Sequence, residues 1–231
     1  MIWYFLVVFM EELQRINILY EDNHLLVVEK PINVPVCADD SHDDDFLSIL
    51  KQYLKEKYQK PGNVYLGLVH RLDRPVGGVM VFAKTSKAAS RLSSQVQNHD
   101  IEKTYVAVCD GKVPDRGEFH DYLRKDNKKN QSFVTDKEHG KEARLQYKRL
   151  DYVNGFSLVE IYLKTGRSHQ IRVQFSSRGF PLIGDAKYNR NSDNKTNVAL
   201  FAKKLCFYHP ISKEKLAFEL DMPKRYPFNL F

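Results

Sequence analysis

Residues 66–83 read LGLVHRLDRPVGGVMVFA and contribute most to the prediction of the fold. Two apolar runs, 66–70 and 78–83, flank a short charged loop over residues 71–77. Short apolar runs bounded by glycine and proline are typical of buried strands. We therefore expect two buried strands joined by a tight loop that carries charged side chains.

The residues before this stretch predict a hairpin and a helix. Residues 16–31 hold two apolar runs around the polar turn 21–24, and a proline ends the second run. An aspartate among residues 43–45 is expected to cap a helix that ends before Pro61. The core positions of that helix are predicted to be Phe46, Leu50, Tyr53, Leu54 and Tyr58.

The residues after this stretch predict one further helix and then a series of strands. Thr85 or Ser86 is expected to cap a helix with Ala88, Leu92 and Val96 facing inward. Strands are predicted over residues 104–109, 119–123, 143–152, 156–163, 200–208 and 216–220, and Asn154-Gly155 is a strong hairpin signal. Ser168 is expected to cap a short helix with Ile171 and Phe175 on one face, and Gly179 to follow that helix with a positive φ. The sequence thus predicts an α+β fold on a mostly antiparallel sheet, as a single domain over residues 10–231.

The composition indicates a folded protein of a reducing compartment. Apolar residues make up 42% and charged residues 28% of the 231 residues, which argues against disorder and long coiled coils. Cys37, Cys109 and Cys206 are widely spaced, so neither a disulfide framework nor a zinc site is expected. We expect a cytoplasmic protein.

Residues 1–10, MIWYFLVVFM, form the most hydrophobic segment. Ten residues are too few to span a bilayer, which needs about 20. Our preferred hypothesis is that translation starts at Met10 and that residues 1–9 are a non-native or disordered extension. The alternative is a short strand packed on the domain.

The charge is unevenly distributed along the chain. The net charge is +7, and residues 1–63 carry 6 Lys and Arg against 11 Asp and Glu, so the excess of positive charge lies in residues 64–231. Residues 164–190 hold six cations against Asp185 alone. Such a basic stretch favours a polyanionic partner, although a solvated basic surface is an equal alternative. The acidic run over residues 39–45 lacks the ligand order of a calcium loop and is interpreted as a solvated loop.

Asp73 is the most constrained carboxylate of the chain. It lies between Arg71 and Arg74, on a loop that Pro75 and two glycines hold between the predicted strands. Nearby cations favour the ionised carboxylate, which could then attack carbon or orient a cation. The structural alternative is a turn residue paired with Arg71 or Arg74.

The segment HRLDRP at residues 70–75, together with TGRSHQIR at residues 165–172, resembles the RluA-type family of RNA pseudouridine synthases. Further similar segments occur in the same order along the chain. They are LYEDNHLLVVEKP at 19–31, FAK at 82–84, KTYVA at 103–107, PLIGD at 181–185 and FYHP at 207–210. The resemblance implies a pseudouridine synthase fold, with flanking helices and a central RNA-binding cleft.

The resemblance also implies a reaction that needs no cofactor. Asp73 matches the catalytic aspartate of the family, and attack on the ribose carbon or on the uracil ring are both open. Tyr105 matches the tyrosine that stacks on the target uracil, and Arg172 matches the arginine that pairs with the catalytic carboxylate. Arg71 matches the arginine that fills the space left by the flipped base. Arg74, Lys84, Lys164, Arg167 and Arg178 are expected to contact RNA, while His70 and His169 are expected to orient loops.

Some features of the sequence differ from the common family pattern. Val76-Gly77-Gly78 stands where many members have Thr-Ser-Gly, Gln174 replaces a frequent histidine, and Phe201 replaces another. No S4-type domain is expected before residue 16, so a stem-loop of tRNA or rRNA recognised by shape is the expected substrate, bound by a monomer. Two rival interpretations are a catalytically silent RNA-binding protein and a glycosidase that uses Asp73.

Overall fold

The computed structural model describes residues 16–39, 43–192 and 195–231. The chain divides into two compact units: Met1–Asp100 with Phe207–Phe218, and Ile101–Cys206 with Glu219–Phe231. The sequence shows no linker at these divisions, and the single domain over residues 10–231 stays a prediction. The predictions for residues 1–10 lie outside the described residues, as does part of the acidic run. No helix within the described ranges is long and apolar enough to cross a membrane.

Antiparallel strands form the centre of the first unit. They are β1 (Ile18–Glu21), β2 (Leu25–Lys30), β3 (Gly67–Leu68) and β4 (Gly77–Ala83), and both β2 and β3 pair with β4. The hairpin of β1 and β2 confirms the prediction, because an Asp22 Oδ1 atom accepts the backbone N–H groups of His24 and Leu25 and so closes the turn. All seven residues of β4 are buried, as its apolar run indicates. The strand predicted over residues 66–70 is shorter than expected, since β3 has only two residues.

Two helices of the first unit begin at predicted caps. α1 (Phe46–Lys57) begins after Asp45, whose side chain accepts the Ser48 N–H at 3.0 Å. α2 (Ser86–Gln97) begins after Thr85, whose hydroxyl accepts the Ala88 N–H at 3.2 Å. The periodic apolar residues are buried, as predicted, at Phe46, Leu50 and Leu54 in α1 and at Ala88 and Leu92 in α2. Tyr58, also predicted for the core, follows α1 and is 45% exposed, and Val96 is half-buried. Local sequence signals therefore determine both helices.

The second unit is built on antiparallel strands in the order β10-β5-β9-β8-β6-β7. Their bounds are β5 (Glu102–Asp110), β6 (Arg116–Asp126), β7 (Gln131–Thr135), β8 (Lys141–Val153), β9 (Phe156–Leu163) and β10 (Leu200–Tyr208), whose last two residues belong to the first unit. The remaining strand, β11 (Lys215–Glu219), belongs to the first unit except for Glu219. Asn154 and Gly155 both have positive φ between β8 and β9, which confirms the predicted hairpin turn. The sequence prediction missed β7.

α3 (Gln170–Ser176) lies in the second unit and differs from its prediction at the first turn. Its N-cap is His169, which has a left-handed backbone (φ 54°) and makes no side-chain cap hydrogen bond, so the prediction of a Ser168 cap is wrong. Gly179 has a φ of 81°, in agreement with the prediction. Phe175 packs against Phe119 and Tyr147, with ring centroids 4.9 and 5.5 Å away, and thereby fixes the helix on the sheet.

Candidate active site

Backbone and side-chain hydrogen bonds hold the Asp73 loop in the first unit. The Val76 N–H donates to the Asp73 carbonyl oxygen at 2.9 Å and closes a turn. At the start of the loop, His70 Nε2 accepts the Val81 N–H at 3.1 Å. Asp73 itself is half-buried. The loop thus follows β3, is bound to β4 at its start through His70, as predicted, and ends where β4 begins.

A buried lysine binds the same loop from β2. Lys30 is fully buried, and its ammonium group donates to the carbonyl oxygens of Pro31 at 2.7 Å and of Arg74 at 3.1 Å. Burial lowers the pKa of Lys30 to about 7, although the negative charge of Asp73 acts to raise it. Lys30 therefore connects β2 to the carbonyl group of Arg74, the residue that follows Asp73.

The two arginines beside Asp73 have different surroundings. Arg71 is exposed, and its Nη1 lies 4.0 Å from the Cys37 sulfur. Arg74 pairs with the carboxylate of Asp43, lies 3.5 Å from that of Asp39, and donates to the Asn33 carbonyl oxygen at 3.1 Å. An RNA phosphate would have to compete with these acidic partners for Arg74.

Tyr105 and Arg172 belong to the second unit. Tyr105 lies on β5 with 8% of its surface exposed. Arg172 lies on α3, and its guanidinium forms two hydrogen bonds of 2.7 Å with the carboxylate of Asp185, from Nε to Oδ2 and from Nη2 to Oδ1. The two side chains are 4% and 0% exposed. This buried bidentate pair fixes the plane of the guanidinium.

An aromatic side chain completes the surroundings of Arg172. The Arg172 guanidinium carbon lies 5.3 Å from the centroid of the Tyr188 ring. The Tyr188 hydroxyl lies 2.8 Å from His169 Nδ1 and accepts the Ser132 N–H of β7 at 2.6 Å. His169 therefore orients Tyr188, in line with the structural role predicted for it.

Comparison with known proteins identifies the family. The family model of RNA pseudouridylate synthase matches residues 24–177, a range that contains Asp73, Tyr105 and Arg172. This chain belongs to the RNA pseudouridylate synthase family. It is an isomerase that acts on RNA, and its predicted resemblance to the RluA-type synthases is confirmed.

Curated relatives and solved structures agree with this family. The chain is 34% identical over 222 residues to the ribosomal large subunit pseudouridine synthase D of Zymomonas mobilis, covering 90% of this chain and 70% of that protein. It is 34% identical over 212 residues to an uncharacterized RNA pseudouridine synthase of Bacillus subtilis, with the same coverage. The structure of human RNA pseudouridylate synthase domain containing 4 superposes with a TM-score of 0.79 at 23% identity, over 96% of this chain and 94% of that chain, and so confirms the predicted fold.

The residues expected to contact RNA fall into two groups in this synthase. Lys164 and Arg167 are exposed. Arg178 pairs with Asp121 at 2.9 Å and lies 4.1 Å from the centroid of the Phe119 ring. Lys84 is only 8% exposed in its side chain, and its ammonium binds Glu21 at 2.8 Å. The RNA contact of Lys84 stays a prediction, and in the structure its ammonium group already forms an ion pair within the first unit.

Sequence reasoning missed two partners of the predicted site residues. Asp185 pairs with Arg172 across 13 positions of the chain, and the sequence had indicated it only as part of the basic stretch and of the segment PLIGD. Lys30 ends a run of buried apolar residues in β2, where a lysine would be expected to reach solvent. The position of Lys30 at the end of an apolar strand was the sequence signal that could have indicated its burial. Across the described ranges, no cluster of three histidine, cysteine, aspartate or glutamate residues could hold a metal ion.

Proposed function

We propose that this synthase converts uridine to pseudouridine in a structured ribosomal or transfer RNA, with Asp73 as the catalytic carboxylate. The observation that carries the proposal is the position of Asp73 on a loop that Lys30, His70 and a tight turn hold against β4. A catalytic group needs such a supported position. The name of the Zymomonas mobilis relative supports ribosomal RNA as the substrate class.

The proposed reaction rearranges bonds within one nucleotide. The bond between the ribose carbon C1′ and N1 of uracil breaks, the base rotates, and C5 bonds to the same ribose carbon. C5 loses its proton and N1 gains one, so the product is an isomer and no oxidant, reductant or cofactor takes part. Asp73 attacks either the ribose carbon or the uracil ring as the nucleophile, and these two versions remain open.

The other predicted catalytic residues receive roles that suit their surroundings. Tyr105 offers an aromatic face to the uracil and a hydroxyl group for the C5 proton. Arg172 supplies a fixed positive charge for the catalytic carboxylate, with Asp185 as the positioning residue that holds its plane. Arg71, which is exposed, fills the space left by the extruded base.

The partners and location follow from the same proposal. A stem-loop gripped by its shape suits a monomer, because one active site contacts one folded RNA. Cys37, Cys109 and Cys206 are free thiols. We therefore propose a monomer in the reducing environment of the cytoplasm, where disulfides are rare.

Substitution of Asp73 by asparagine tests the proposal. We expect Asp73→Asn to abolish pseudouridine formation and to leave RNA affinity within a few-fold of wild type, because the substitution keeps the shape and removes the nucleophile. Asp100→Asn, at an exposed aspartate of the same unit, is the matched control and should retain activity. Pseudouridine is mapped in total RNA from cells with and without the gene.

Two outcomes of this experiment would contradict the proposal. A wild-type protein that binds RNA and forms no pseudouridine would favour the silent RNA-binding protein. Release of free uracil by the wild type would favour a glycosidase, in which water, and not C5 of uracil, forms the new bond to the ribose carbon.

A further inference from the structure

Lys103 is a half-buried lysine that lacks a counter-charge in the part of the chain that the structure describes. It lies on β5, two residues before Tyr105. Burial lowers the pKa of its ammonium group, and no carboxylate acts in the opposite direction. Lys30, whose pKa is also lowered by burial, donates to two carbonyl oxygens, whereas the Lys103 ammonium group makes no such bond with any described residue. Lys103 therefore differs from a lysine that supports the fold.

The position of Lys103 places its charge beside the candidate site. Alternate residues of a strand share one face, so Lys103 lies on the same face of β5 as Tyr105. It pairs in register with Leu163, the last residue of β9. Its ammonium nitrogen lies 3.7 Å from the point where a side-chain carbon would stand on Gly166. Lys103 thus faces the loop that follows β9.

That loop brings further positive charge to the same place. Lys164 and Arg167 flank Thr165 and Gly166, and both cations are exposed. Backbone N–H groups of Lys164 and Thr165 donate to the Arg144 carbonyl oxygen, at 3.1 and 3.2 Å, and hold the loop on β8. A held loop with two exposed cations beside a desolvated ammonium group is suited to an anion and unsuited to a neutral base.

We propose that Lys103 binds a backbone phosphate of the substrate RNA next to the target uridine. This inference rests on the proposed function. A desolvated cation without a partner is unfavourable in the free protein, and a phosphate that pairs with it removes that penalty. The affinity gained in the complex is thus accompanied by a loss of stability in the free protein.

The substitution Lys103→Met separates these two effects. We expect RNA affinity to fall about 10-fold or more, because one charge-assisted hydrogen bond is lost. We expect the melting temperature of the free protein to stay the same or to rise, since the desolvated charge is gone. The logarithm of RNA affinity should also depend less steeply on the logarithm of salt concentration, by about 0.7 to 1.

Control variants complete the experiment. Lys103→Arg keeps the positive charge and should retain most of the affinity and the salt dependence. Lys148→Met removes an exposed lysine of β8 in the same unit and should change affinity by less than about twofold. Affinity is measured with transcripts of large-subunit ribosomal RNA and of transfer RNA, and melting is measured on the protein alone.

Either of two results would overturn the inference. One is an unchanged affinity and salt dependence in Lys103→Met. The other is a joint loss of melting temperature and affinity, which would identify Lys103 as a structural residue. Formation of pseudouridine by the wild type is assayed on the same transcripts. Absence of pseudouridine would contradict the proposed function, whereas the comparison of RNA affinities tests only the role of Lys103.

Discussion

Substitution of Lys30 by methionine should remove a large pH dependence of stability. The pKa of Lys30 is about 7 in the folded protein and near 10.5 in the unfolded chain. Because the pKa is lower in the folded protein, the unfolded state binds more protons. The buried lysine therefore lowers the free energy of unfolding by its full amount below pH 7, and this effect disappears as pH rises towards 10.5. Between pH 7 and pH 9, this one group should change the free energy of unfolding by about 2 kcal/mol.

Urea denaturation at pH 7, 8 and 9 measures this effect. Methionine has a similar length and does not titrate, so the free energy of unfolding of Lys30→Met minus that of wild type should be about 2 kcal/mol larger at pH 7 than at pH 9. Other titrating groups cancel in the difference. Lys55→Met, at an exposed lysine of α1, should give a difference that is flat with pH. If the difference in free energy of unfolding between Lys30→Met and wild type is also independent of pH, Lys30 does not have a desolvated amine.

Two further substitutions test buried ion pairs. Burial acts to raise the pKa of Glu21, but hydrogen bonds led by those from Lys57 and Lys84 outweigh it and lower the pKa to about 2. Glu21→Gln should therefore lower the melting temperature at pH 7, and the difference in melting temperature between the variant and wild type should shrink as pH falls from about 4.5 to 2. A difference that persists at pH 2 would contradict this expectation. Asp185→Asn should destabilise the protein by about 3–5 kcal/mol, because a buried bidentate ion pair loses one of its two charges, and should slow pseudouridine formation more than it weakens RNA binding. Chemical denaturation and single-turnover assays measure these two effects, and an unchanged single-turnover rate would remove Asp185 from the positioning role.

Elements specified by neighbouring residues could be predicted from the sequence. Asp45 and Thr85 cap their helices through a residue three positions away, and the turn at Asn154-Gly155 needs only its own positive φ angles. The seven buried residues of β4 follow from one apolar run. In each case the physical cause lies within a few positions of the chain, where a sequence pattern can record it.

Features that depend on distant contacts could not be predicted. β7 was missed because Gln131–Thr135 is short and leaves Phe133 and Val134 exposed, so it lacks a buried apolar pattern. The first turn of α3 is displaced because His169 takes a left-handed backbone, and its side chain binds Tyr188, 19 positions away. The predicted roles of Asp73, Tyr105 and Arg172 came from the family resemblance, and no local pattern would have identified the latter two.

The partners of the cations determine how much of the positive charge is available to RNA. Arg172, Arg178 and Lys84 are paired with carboxylates, so their charges are largely balanced inside the protein. Lys103 and Lys164 have no carboxylate partner among the described residues. Each phosphate contact contributes to the salt dependence of binding, and a cation already balanced by a carboxylate adds little. The salt dependence of RNA binding should therefore be determined mainly by Lys103 and Lys164 beside β9. It should be weaker than the formal net charge of the chain would suggest.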